Sequence, residues 1–246
     1  MKILILSAQS VLGRAVTREL ASDHELRLLE TEPIEGPPGT QVMIGDPLRA
    51  ETLPAALAGV DAVIHNGELP LTPPADDAAK LDWYTRGTYD LMAAAAEAGV
   101  KRFIYCGTLH LFDTYPEDTY ITEYHEPFPP PSGERMWRYL GELTVREFVR
   151  DHAITGTSLR LGTLVAEDEA SSDALDHSWL DPRDAARAVH TALARDSSDM
   201  HNWVRRWQIH HVCANPPNPR FLIQPKIQQG FEHTFAAAWA GSGGRG

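Results

Sequence analysis

Positive charge is scarce in this chain: 22 lysines and arginines stand against 34 aspartates and glutamates, a formal net charge of −12 over 246 residues. That balance excludes a nucleic-acid or anionic-membrane surface as the expected partner, with Arg205-Arg206 a local exception. Cysteine is scarcer still. Cys106 and Cys213 supply neither a disulfide framework nor a zinc-ligand spacing, which suits a reducing compartment and predicts a cytoplasmic protein. Long hydrophobic runs are missing too. No stretch approaches the roughly 20 apolar residues of a membrane span, and Met1-Lys2 leads straight into a short strand, so neither a membrane segment nor a secretory leader is expected. The 11 histidines, among them His177, His190, His201, His210 and His211, show no H-E-x-x-H spacing, and no metal is expected.

What the chain does have is alternation of short apolar runs with helical patterns. Lys2 to Leu6 reads as a buried strand, His24 to Leu29 as a second one ending at Glu30, and QVMIG as a third ending at Asp46. Ala50 to Leu57 reads as a helix stopping at Gly59, Val60 to His65 as a fourth strand, and the alanine-rich helix through Ala98 stops at Gly99 before the strand KRFIYC. NWVRRWQIHHV reads as the last strand. Strands and helices at this spacing predict a doubly wound parallel sheet in three α/β/α layers. Ligands of such sheets bind beyond the carboxyl ends of the strands, so Ser7, Glu30, Asp46, His65 and Thr108 are expected on one rim. One domain is expected over residues 1–240, with 162–235 adding a small substrate-side region and 241–246 a disordered tail.

The turn after the first strand lacks glycine. It reads Ser7-Ala8-Gln9-Ser10-Val11-Leu12-Gly13, where a dinucleotide-binding turn carries G-x-x-G-x-x-G. Only Gly13 remains. A side chain at the first position costs about 1 kcal/mol if the backbone there is left-handed, and Ser10 places atoms where a phosphate is expected. The helix that follows still offers free amides and a positive dipole end.

The blocks VDAVIHNGE, RGTYDLMAAAAEAGVKRFIYCGTLHLF, YLGELTVREF, SLRLGTLV and WLDPRDAARAV, in that order, resemble the extended short-chain dehydrogenase/reductase superfamily of the NAD-dependent epimerase/dehydratase type. Within it the chain looks most like the uronate dehydrogenases. The resemblance implies a Rossmann-like NAD(P)-binding fold, with Ser7, Ser10, Leu12 and Gly13 at the cofactor loop, Glu30 at the adenosine ribose, Asp46 beside the adenine, and His65-Asn66-Gly67 in the next turn. An acid at Glu30 repels an extra phosphate, so NAD is expected over NADP. Arg160 and His110 are implied as substrate-binding, the expected substrate being a small sugar or sugar acid, and a homodimer through the YLGE helix is implied by analogy.

The family's catalytic trio is a Ser or Thr plus a Tyr-x-x-x-Lys pair whose phenol exchanges a proton with the substrate oxygen. Thr108 matches the hydroxyl. Counting back from YLGE places Glu134 at the tyrosine and Arg138 at the lysine, and Tyr84 stands where the family carries asparagine. A guanidinium four residues along the helix pushes Glu134 below its free value of about 4.3, leaving a weak base that cannot donate a proton near neutrality. The same two residues also read as an ordinary i,i+4 ion pair. Three functions follow: an oxidoreductase with an altered catalytic pair, a catalytically silent dinucleotide-binding protein that senses or binds a partner, or, if Ser7 and Ser10 close the loop, a scaffold that binds no nucleotide.

Overall fold

Apolar residues one apart in sequence point to opposite sides of a strand, and this chain uses both sides. The computed structural model describes residues 1–223 except 47, 71, 168, 170–175, 177 and 215–218. The expected tail at 241–246 and the end of the expected 162–235 region lie outside the described residues. The strands are β1 (Lys2–Leu6), β2 (Glu25–Glu30), β3 (Gln41–Ile44), β4 (Ala62–His65), β5 (Arg102–Thr108), β6 (Thr155–Leu161), β7 (Thr163–Leu164), β8 (Trp179–Leu180) and β9 (Trp207–Val212). Seven form one sheet in the order β3-β2-β1-β4-β5-β6-β9, and every pairing in it is parallel. β7 and β8 form a separate parallel pair.

Helices cover both faces. Ile3, Ile5, Ile64 and Ile104 pack with Leu12, Val16 and Leu20 of α1 (Val11–Leu20) and with Ala185 and Val189 of α6 (Pro182–Leu193). Leu4, Leu6, Val63 and Phe103 pack on the other side with Leu57 of α2 (Leu53–Leu57), with Leu91 and Met92 of α4 (Thr88–Glu97), and with Val145 and Val149 of α5 (Glu134–Asp151). A short α3 (Asp77–Asp82) runs into a π turn, Trp83–Gly87, that leads to α4. No helix among the described residues is long and apolar enough to cross a membrane.

The order reverses between β1 and β4, and that switch point sets where a ligand fits. Close approaches tighten the layers around it. A Cβ on Gly13 would lie 2.2 Å from the Ser7 carbonyl oxygen, so α1 sits directly on the end of β1. Gly67, with φ of +64°, brings its turn against β5, where a Cβ would lie 1.7 Å from the Cys106 carbonyl. Its left-handed backbone and that contact both require glycine.

Two sequence expectations change here. Ala50 to Leu57 divides into a 3-10 turn, Ala50–Thr52, followed by α2, with Pro54 in the first helical turn where its missing N–H costs nothing. The last strand begins only at Trp207, because Asn202 caps a helical turn α7 (Trp203–Arg206) through the Val204 amide. Arg206 is no basic patch: it is buried, and its guanidinium donates to the carbonyls of Val149 and Arg150 at the end of α5.

α5 is fixed to the sheet by a buried ion pair. Arg160 of β6 meets Glu142 in a two-pronged contact, Nε to Oε2 at 3.0 Å and Nη2 to Oε1 at 2.6 Å, and Ser158 Oγ donates to the same carboxylate. Both side chains are 3 % exposed, so either charge left alone would be costly. Glu142→Ala is therefore expected to lose about 3–5 kcal/mol in urea unfolding, while a loss under about 1 kcal/mol would contradict this account of the pair.

Candidate active site

The residues after β1 take the shape a glycine turn would give them. Ser7 has φ of +51°, the only non-glycine with positive φ among the described residues, at a cost of about 1–2 kcal/mol. Its side chain is committed to the backbone: Oγ donates to the Glu68 carbonyl at 3.0 Å. Ser10 caps α1, its Oγ accepting the Gly13 amide at 2.9 Å. Glu30 sits at the rim end of β2 but is only 2 % exposed, and its Oε1 accepts the Gln9 amide at 2.9 Å, holding this same loop. Asp46 caps its own turn by accepting the Leu48 amide.

A cavity of about 440 Å³ opens beyond the switch point. It brings together Leu12 at the start of α1, Asn66 after β4, Thr108 and His110 after β5, and Glu134 and Arg138 of α5. Ser10, Gly13, His65 and Gly67 support its walls rather than line them, and Glu30 and Asp46 stand outside it. Arg160 is not part of it. Its Nε and Nη2 are engaged by Glu142, and its guanidinium carbon lies 5.3 Å from the Phe112 ring centroid, because β6 carries it onto the α5 face of the sheet. The implied substrate contact at Arg160 is thus replaced by a structural one.

Hydrogen bonds show what each group can still do. Thr108 Oγ1 accepts the His110 amide at 3.2 Å, which leaves its own proton for a ligand. His110 has both ring nitrogens engaged, Nδ1 with Asp113 and Nε2 with Thr163. Asn66 donates its amide to the Leu6 carbonyl at 2.7 Å and ties β4 to β1 across the switch point, while its buried Oδ1 takes no partner. His65 accepts the Gly67 amide at Nδ1, which assigns its proton to Nε2 and points it at Thr88 Oγ1. Burial, with the Arg138 charge added, lowers its pKa to about 4, so the ring is neutral.

Glu134 and Arg138 do form the expected ion pair. Arg138 Nε donates to Glu134 Oε1 at 2.8 Å and Nη2 approaches the same oxygen at 2.5 Å. A third donor was not anticipated in this role: Tyr84 Oη gives its hydrogen bond to Oε1 at 3.0 Å. Burial pushes against the charged carboxylate, but the Arg138 charge and the three donors outweigh it and hold Glu134 below its ordinary range. Glu68, also missed by the sequence reading, lines the cavity as well. Its only signal was its place, directly after the turn that ends β4.

The start of α1 fits a dinucleotide phosphate. Val11 and Leu12 line the cavity, the Ser7 hydroxyl is held by the Glu68 carbonyl, and the helix end supplies amides and a positive dipole. Ser10 is the one obstacle, since its hydroxyl occupies the Gly13 amide. Ser10→Gly is expected to tighten NAD binding about tenfold, the worth of roughly one charge-assisted hydrogen bond, at a stability cost of only a few tenths of a kcal/mol. Calorimetry showing equal or weaker binding in that variant would refute the competition.

A family profile described as NAD(P)H-binding matches residues 8–178. A curated L-arabinose 1-dehydrogenase (NAD(P)(+)) from Haloferax volcanii is 24% identical over 218 residues, covering 80% of this chain and 84% of that one. Among solved structures, a glucuronic acid dehydrogenase from Chromohalobacter salexigens superposes with a TM-score of 0.78 at 17% identity, over 99% of this chain and 90% of that one. A uronate dehydrogenase variant from Agrobacterium tumefaciens complexed with NAD gives 0.74 at 18% identity, over 90% and 80%. The profile spans well over half the chain and contains Ala8 to Gly13 of the turn after β1, the Asn66 turn, Thr108, Glu134 and Arg138: this protein belongs to the NAD(P)H-binding family and has the fold of the extended short-chain dehydrogenase/reductases.

Proposed function

We propose that the chain is an NAD-dependent oxidoreductase that oxidises a small sugar or sugar acid in the cavity between Thr108 and Glu134. The observation that carries this is the meeting, in one cavity, of a hydroxyl with an uncommitted proton, an ionised carboxylate and a helix N-terminus. The dehydrogenase relatives support the substrate class, and the acid at Glu30 supports NAD over NADP.

When bound, the nicotinamide supplies a two-electron acceptor. The rest belongs to side chains of this protein. Thr108 donates a hydrogen bond from its hydroxyl to the substrate oxygen and orients it, keeping its proton. Glu134, 46% exposed at its side chain, takes the substrate's hydroxyl proton and passes it to water. Arg138 stays charged at all working pH values and keeps the carboxylate ionised. Because Glu134 lies below the usual carboxylate range, it accepts protons and does not deliver them near neutrality, which favours oxidation over reduction. A homodimer belongs to this reading: Tyr89 of α4 is 56% exposed and meets the ring of Phe148 of α5 edge-on, an aromatic face suited to a second copy.

Glu134→Gln should lower kcat for sugar oxidation by about 100-fold or more and leave the Kd for NAD within about twofold. Undiminished turnover in that variant would remove Glu134 from the reaction. NAD binding without turnover of any sugar or sugar acid by the unaltered protein would favour the silent dinucleotide-binding alternative.

A further inference from the structure

The family position that carries asparagine here carries a phenol, and the fold brings that phenol to the acid on α5. Tyr84 belongs to the π turn Trp83–Gly87, a helical distortion of the kind found at functional sites. Its ring is fully buried, and the Arg138 guanidinium carbon lies 5.5 Å from its centroid. α5 reaches it closely because Gly141 has no side chain: a Cβ there would lie 2.8 Å from the Tyr84 carbonyl and 2.5 Å from Tyr105 Oη. The turn is held from behind by Thr88 Oγ1, which donates to the Tyr84 carbonyl at 2.8 Å and is itself met by His65 Nε2. The backbone of Tyr84 is therefore held independently of the ion pair that its Oη joins.

The donors around Glu134 are lopsided. Tyr84 Oη, Arg138 Nε and Arg138 Nη2 all converge on Oε1. An ionised carboxylate accepts at both oxygens, and three donors saturate one of them. Oε2 receives none of the three. We propose that Tyr84 is a positioning residue: by donating to Oε1 it fixes the Glu134 carboxylate in the orientation that leaves Oε2 to take the substrate's hydroxyl proton. This rests on the reading of Glu134 as proton acceptor given above. Tyr84 touches no substrate. Burial, with the Glu134 charge adding to it and Arg138 opposing it, pushes its pKa well above the ordinary phenol value, so it remains a donor throughout the working range. The other charged group acting on Glu134 is Lys80 of α3, and Arg135, Glu68 and His110 share its cavity.

The test is Tyr84→Phe in the full chain, which keeps the ring and removes one donor. Carbon-detected NMR titration of the Glu134 carboxyl should show its midpoint raised by about half a pH unit or more. With an oxidisable sugar, the acid limb of kcat should move up by the same amount and kcat should fall about tenfold or more, with KM unchanged. A midpoint and acid limb identical to those of the unaltered protein would overturn the assignment. Should Tyr84→Phe fail to fold, 3-fluorotyrosine incorporated at position 84 keeps the packing and strengthens the donor, so the Glu134 midpoint should fall; an unmoved midpoint overturns the assignment equally. If the unaltered protein turns over no sugar, the missing turnover counts against the oxidoreductase reading, and an unmoved carboxyl titration in Tyr84→Phe separately overturns the hold of Tyr84 on Glu134.

Discussion

The guanidinium of Arg138 is the constraint on which the site depends. It cannot lose its proton, and at 19% side-chain exposure it must be matched by acceptors and ring faces rather than by water. Glu134 supplies the carboxylate, Tyr84 a ring face, and Tyr105 Oη donates to the Arg138 carbonyl at 2.8 Å, fixing the helix turn that bears it. The same charge reinforces the burial that keeps His65 neutral, so the donor pattern from His65 to Thr88 to the Tyr84 carbonyl has one sense only. A lysine at this position could not reproduce the arrangement, because its ammonium is a point donor without the planar fork that reaches Oε1 through two nitrogens.

That charge sits where the sheet topology concentrates ligands. The strand order reverses between β1 and β4, and Gly13, Gly67 and Gly141 let α1, the Asn66 turn and α5 approach closely around the carboxyl ends of these strands. The helix N-terminus then faces Thr108 and the Glu134–Arg138 pair across a single cavity. The chain keeps the family's architecture and changes the residues at its catalytic pair: a carboxylate held by three donors stands where a tunable phenol is expected, and a phenol from a different element is one of those donors.

The sheet was readable in the sequence because its strands are buried on both faces and appear as nearly continuous apolar runs, with Gly59 and Gly99 marking the preceding helix ends. The rim residues followed from strand order. The interactions that define the site were less readable, for physical reasons. Tyr84 and Glu134 are 50 residues apart, and nothing local to either announces the contact. Arg160 carries a family motif, yet its partner Glu142 lies 18 residues away on a helix whose rotation the sequence does not specify, so a structural pair read as a substrate contact. By sequence Ser10 intrudes on phosphate space; only the structure shows its hydroxyl turned back onto Gly13 as a helix cap. The short turn α7 escaped because Trp203 to Arg206 has strand-like composition and is made helical by the Asn202 cap and by the carbonyls that Arg206 satisfies at the end of α5.

Isothermal titration calorimetry of the protein with NAD, and with NADP in parallel, tests most directly whether the start of α1 and the Arg138-centred cavity together form a dinucleotide site. Micromolar binding of NAD, with NADP weaker by tenfold or more, is the predicted result. Absence of binding by either dinucleotide to protein that unfolds cooperatively would contradict it, and would mean that the self-capped Ser10 turn has closed the site.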